Sequence, residues 1–72
     1  MIRLRVKQVA KEKGMSMGRL GRTADLDYNT VKRLYDDIKY SPTIDTLYKV
    51  AKALGVKVDD LIEEVPDDSA GG

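Results

Sequence analysis

The stretch from Ser16 to Tyr35, SMGRLGRTADLDYNTVKRLY, constrains the fold of this chain more than any other. It reads as two short amphipathic helices joined by a tight turn. Ser16 is a good N-cap, because its side-chain oxygen can accept from a backbone N–H that the first turn leaves unpaired. Leu20 and Ala24 form the inward stripe of the first of the two helices. Asp25 and Leu26 make the turn, Asp27 caps the second helix, and Val31 and Leu34 face inward. Gly18 and Gly21 each cost on the order of 1 kcal/mol against alanine inside a helix. Either one of them marks a close backbone approach, or the helix is simply weak.

Elements on both sides complete a small domain. Ile2, Leu4 and Val6 alternate with Arg3, Arg5 and Lys7, a period of two that fits a strand or extended arm over 1–5. Helix 1 is expected at about 6–13, through Val9, Ala10 and Lys13, and stops at Gly14. Helix 2 follows Ser16, and helix 3 ends at Asp36 and Asp37, whose charges oppose its C-terminal dipole. Lys39-Tyr40-Ser41-Pro42 is a loop, since proline disfavours helix at the residue before it. Thr43 caps helix 4, with Ile44, Leu47, Val50, Ala51 and Leu54 as a stripe that ends at Gly55. A short helix 5 is expected at about 58–64, with Asp59 and Asp60 near its N-terminus and Leu61 and Ile62 to bury. From Pro66 onward PDDSAGG has nothing to bury, so 66–72 is expected to be a disordered tail. The result is an all-α, five-helix domain over 1–65. Its expected core is Val9, Leu20, Ala24, Leu26, Val31, Leu34, Leu47, Val50, Ala51, Leu54 and Leu61.

Composition removes most other classes. A chain of 72 residues buries only about 60% of its unfolded surface, so one small domain is expected. It has no cysteine and no histidine, which leaves no disulfide framework, no thiolate zinc site and no imidazole base. No carboxylates form a recognisable catalytic pair, and no Gly-rich phosphate loop is present. A non-enzyme without cofactor or metal is expected. No apolar run approaches the ~20 residues of a membrane span, and the N-terminus is not a secretory signal, so a soluble intracellular protein is expected. The net charge of +1 hides an asymmetry. Residues 1–33 carry nine basic and three acidic side chains, a net +6, and residues 34–72 carry four and nine, a net −5. A basic half suits a polyanion, although composition alone fits an ordinary solvated surface as well.

The outer face of helix 3 carries Tyr28, Asn29, Lys32 and Arg33, at i, i+1, i+4 and i+5. Two helices crossing steeply, the second presenting such side chains, make a helix-turn-helix suited to a DNA major groove. Asn29 can pair with adenine, and Arg33 or Lys32 with guanine, each good pair contributing about 1–3 kcal/mol of discrimination. Tyr28 can pack on a thymine methyl or reach a phosphate. Phosphate contacts are expected at the N-terminus of helix 2, from Ser16 and the backbone N–H groups of Met17 and Gly18. Arg19, Arg22, Lys39, Tyr40, Ser41 and Thr43 are further candidates. The bland reading is a solvated helix face. Tyr35, Tyr40 and Tyr48 fall on different elements and are expected at the core edge, with wet hydroxyls, rather than in a stacking platform.

Together these elements resemble the lambda-repressor-like, Cro-type (XRE) helix-turn-helix family, over roughly Val6 to Ile62. The resemblance is carried by Gly14, Ser16, Leu20, the small Gly21, then Thr30, Val31 and Arg33. The stretch SPTIDTLYKVAKALGVKVDDLI matches the family's closing pattern of proline, capped helix and acidic "DxL". Four positions depart from it: Met17 replaces a glutamine, Asp25 a turn glycine, Tyr35 an acid, and Lys57 a serine or threonine cap. The resemblance implies a cytoplasmic, bacterial, nucleoid-associated transcriptional regulator that binds double-stranded DNA.

One such motif touches too little DNA for specific recognition alone, so a homodimer is expected. Its surface is either an apolar patch of Val56, Val58, Ile62 and Val65, or the arm. The arm can add as a strand to a partner or to Val56–Val58 of its own chain, trail Arg3 and Arg5 along DNA, or adopt no ordered structure. The competing class is a protein-interaction module, such as an antitoxin, that keeps the fold without binding DNA. Near-zero net charge, the acidic second half and Met17 favour it.

Overall fold

The computed structural model describes residues 2–37 and 39–66. Among these, four α-helices form: α1 over Val6–Glu12, α2 over Met17–Ala24, α3 over Tyr28–Asp36 and α4 over Ile44–Leu54. Their ends follow the capping residues. Ser16 Oγ accepts from the Arg19 N–H at 3.2 Å, and Thr43 Oγ1 from the Thr46 N–H at 3.1 Å, each satisfying a donor that a helix start leaves unpaired. Asp27 stands at the N-cap of α3, but its Oδ1 accepts from Thr30 Oγ1 at 2.5 Å instead of from a backbone N–H. Asp25 closes α2 in the left-handed region, at φ 59° and ψ 46°.

The helix expected over 58–64 does not form. Val58–Leu61 is a single 3-10 turn, and Ile62–Glu64 is a strand, β2, paired antiparallel with β1 at Ile2–Leu4. The pairs are Ile2 with Glu64, Arg3 with Glu63 and Leu4 with Ile62. A helix continued past Leu61 would forgo this pairing. The alternating N-terminal arm offers a ladder instead, with an apolar pair at Leu4 and Ile62 and opposite charges at Arg3 and Glu63. The arm therefore pairs within its own chain, with β2 and not with Val56–Val58. The Arg5 N–H, donating to the Leu61 carbonyl at 2.7 Å, continues the tie toward α1. At the 3-10 turn Lys57 has no side chain able to accept. Asp60 compensates, taking the Lys57 N–H on Oδ2 at 3.1 Å while its own N–H donates to the Lys57 carbonyl.

Every residue of the expected core is buried except Leu26, which is half-buried and packs against it; Val6 and Ala10 of α1 join the core as well. Ile44 leaves the expected stripe of α4, at 76% exposed. As the first residue of α4 it lies ~60° around the axis from Leu47, at the flank of the stripe. Tyr35 and Tyr40 pack against the core edge, as expected, whereas Tyr48 is 58% exposed. The disorder expected from Pro66 onward falls, beyond Pro66 itself, outside the described residues.

Candidate nucleic-acid interface

The interface is built on the packing of α2 against α3. Of the two glycines in α2, Gly21 marks the close approach. A Cβ there would lie 3.1 Å from the Leu26 carbonyl oxygen and 3.4 Å from Val31 Cγ2, while one at Gly18 would meet only the Arg22 Nη1 at 3.7 Å. The Leu26 N–H donates to the Gly21 carbonyl at 2.8 Å, which folds the turn back over α2. Val31, fully buried, and Leu34 then fix the rotation of α3 about its axis. That rotation turns Tyr28, Asn29, Lys32 and Arg33 outward together, all four exposed.

The phosphate candidates fall into two groups. At the start of α2, Ser16 and Arg19 are exposed, Met17 and Gly18 are half-buried, and Met17 packs its side chain against the core. Only the backbone of Met17 is therefore offered to a ligand. Arg22 is exposed one turn later. In the α3–α4 loop Lys39, Ser41 and Thr43 are exposed and Tyr40 is half-buried. This loop is ordered by Asp37, whose Oδ1 accepts from the Lys39 N–H at 2.9 Å and whose carbonyl accepts from the Tyr40 N–H at 3.1 Å. The Thr43 hydroxyl donates to Thr46 Oγ1 at 3.0 Å, so part of its capacity is spent within α4.

One contact joins the two sets. The Arg33 guanidinium carbon lies 4.3 Å from the centre of the Tyr40 ring, a cation–π separation. Among the described residues the basic side chains of this face form no ion pair, and the pair that does form is Lys49 with Asp45, at 3.5 Å on α4.

A cleft of about 940 Å³ opens between β1, α1 and the α3–α4 loop. Arg5, Lys7 and Lys11 line it together with Lys39 and Ser41. Sequence reasoning did not select Lys7 and Lys11, and only the excess of positive charge before residue 34 hinted at them. Tyr35 also lines this cleft, in place of the acid the resemblance would put there. Burial raises its hydroxyl pKa above the ordinary 10.0, so it stays neutral beside these cations.

Comparison with known proteins identifies the family of this chain. The profile of the Cro/C1-type HTH DNA-binding domain matches residues 5–67. The chain belongs to this family. Its members are DNA-binding domains and not enzymes. Among solved structures, this member of the family is similar to a Bacteroides fragilis protein described as a candidate DNA-binding protein. They share 33% identity with a TM-score of 0.76, over 88% of this chain and 100% of that one. It is also similar to the N-terminal DNA-binding domain of SinR, the master biofilm regulator of Bacillus subtilis. There the identity is 32% and the TM-score 0.71, over 88% of this chain and 91% of that domain. No curated protein sequence matches it. No helix among the described residues is long and apolar enough to cross a membrane.

Proposed function

We propose that this Cro/C1-type domain is a transcriptional regulator that binds double-stranded DNA sequence-specifically, with α3 in the major groove. The observation that carries this reading is the shared outward face of Tyr28, Asn29, Lys32 and Arg33 on a helix whose rotation is fixed by Val31 and Leu34. Asn29 and Arg33 read base edges, Lys32 supports guanine recognition, and Tyr28 packs on a thymine methyl or a phosphate. Ser16, the backbone of Met17 and Gly18, Arg19 and Arg22 hold one stretch of backbone. Lys39, Tyr40, Ser41 and Thr43 hold another, and the neighbouring Lys7 and Lys11 add charge to it. The regulator acts as a homodimer on a two-fold site.

Selection of binding sites from random duplexes tests this reading. An enriched motif with two half-sites is expected. Arg33→Ala and Asn29→Ala should each relax a single base position, at a cost of about 1–3 kcal/mol for the preferred base. Arg19→Ala or Lys39→Ala should weaken all sequences alike and flatten the salt dependence. Absence of any enriched motif, with Arg33→Ala binding as the parent does, would end the assignment of α3 as reader and favour a protein-interaction module.

A further inference from the structure

The cleft between β1, α1 and the α3–α4 loop has a lining that a DNA backbone does not match. Its most buried part is apolar, formed by Leu34 and Leu47, and Leu4, Tyr35 and Ile62 line it half-buried. Ile2, also in the lining, is 57% exposed. The volume of about 940 Å³ lies within the range of pockets that hold small organic molecules. A sugar–phosphate chain is polar along its length and gains nothing from such a lining. An apolar body does, because it takes these side chains out of water.

Charge selects the rest of the ligand. Five basic side chains, Arg3, Arg5, Lys7, Lys11 and Lys39, line the cleft against two acids, Asp37 and Glu63. Both acids are engaged elsewhere. Glu63 stands opposite Arg3 in the ladder, and Asp37 Oδ1 accepts from the Lys39 N–H. Among the described residues none of the five cations forms an ion pair. Lys7 and Lys11, four residues apart, share one face of α1, where like charges repel. Tyr35, which stands where an acid would neutralise them, adds a hydroxyl donor and no negative charge.

We infer that this cleft is a binding site for a small amphipathic anion, a carboxylate on an apolar body. Lys7 and Lys11 meet the carboxylate, and the body lies on Leu4, Tyr35 and Ile62. Occupation also has a regulatory consequence, which rests on the proposed DNA reading as the binding itself does not. Lys7, Lys11, Lys39 and Tyr40 line the cleft and are the groups assigned to one stretch of DNA backbone. The ligand and the DNA therefore compete.

Isothermal titration calorimetry of the whole chain with octanoate, without DNA, tests the site. Saturable binding is expected, roughly tenfold tighter than that of hexanoate, because two further methylenes leave water. Acetate and 1-octanol each carry one half of the chemistry and should bind roughly tenfold more weakly than octanoate, or less. Lys11→Glu and Tyr35→Glu should each weaken octanoate binding several-fold. Lys11 is exposed, so Lys11→Glu should leave the far-UV circular dichroism unchanged and decides the matter if Tyr35→Glu disturbs the fold. Octanoate should also raise the apparent Kd for the selected DNA site as its occupancy rises. Absent or unsaturable octanoate binding would overturn the site, as would acetate or 1-octanol binding equally well, or titrations that neither substitution changes. Adsorption to phosphatidylglycerol vesicles without octanoate binding would overturn it too, and would give the cleft to a lipid surface. Octanoate bound with DNA affinity untouched overturns the competition alone. The calorimetry reads the site whether or not the chain binds DNA, so its failure is distinct from a failure of α3 as reader.

Discussion

Arg33 illustrates how one side chain on the outward face of α3 depends on a residue outside the motif. A free arginine loses much rotamer freedom on meeting a base. Here the Tyr40 ring already holds the guanidinium, 4.3 Å from its centre. The loop that carries Tyr40 is tied to the end of α3 by Asp37. Tyr40→Leu should therefore weaken discrimination at the base position that Arg33→Ala affects, by about 0.5–1 kcal/mol. Tyr40→Phe, which keeps the ring face, should preserve it. Competition assays with single-base variants of the selected site read the difference. Equal discrimination in both variants would mean that the ring does not orient Arg33.

At the scale of elements, the angle between α2 and α3 is set by three backbone features. Gly21 admits the Leu26 carbonyl, the Leu26 N–H returns to Gly21, and Asp25 takes the left-handed conformation between them. Only the last is held by a residue that resists it. Outside glycine, the left-handed region costs on the order of 1 kcal/mol, less for aspartate than for most residues. The aspartate also places a negative charge on the C-terminal dipole of α2. Asp25→Gly should accordingly stabilise the domain by about 0.5–1 kcal/mol, read as a raised urea midpoint with an unchanged slope. A lowered midpoint would show that the Asp25 side chain makes a compensating contact.

The whole molecule is closed by its two ends. β1 and β2 bring the segment before α1 against the segment after the 3-10 turn, and Val6 and Leu61 are both fully buried where they meet. A domain of this size is stable by only about 4–11 kcal/mol. Leu61→Ala, which opens a cavity under this closure, should cost about 2–5 kcal/mol. Thermal unfolding should show a large fall in the midpoint, and at the upper end of that range the chain is substantially unfolded at 37 °C. A shift of only a few degrees would place the closing contacts outside the cooperative unit.

The helices and the outward face of α3 were legible in the sequence because both depend on local chemistry. Ser16 and Thr43 cap through bonds to residues three positions on, Gly14 and Gly55 end helices by their own backbone freedom, and a period of 3.6 sorts inward from outward residues within one element. The same logic placed Tyr28, Asn29, Lys32 and Arg33 on one face. What tertiary structure decided involves partners distant in the chain. The segment after Lys57 reads as a helix start, but β1, more than fifty residues earlier, supplies the ladder that makes Ile62–Glu64 a strand. Ile44 fits the stripe of α4 by period alone, yet its exposure depends on what packs beside it. The choice between Gly18 and Gly21 rested on where the Leu26 carbonyl falls, and the grip of Tyr40 on Arg33 on where the loop returns. Periodicity and capping act over a few residues, whereas strand pairing, burial at a flank and ring stacking are settled only when the elements meet.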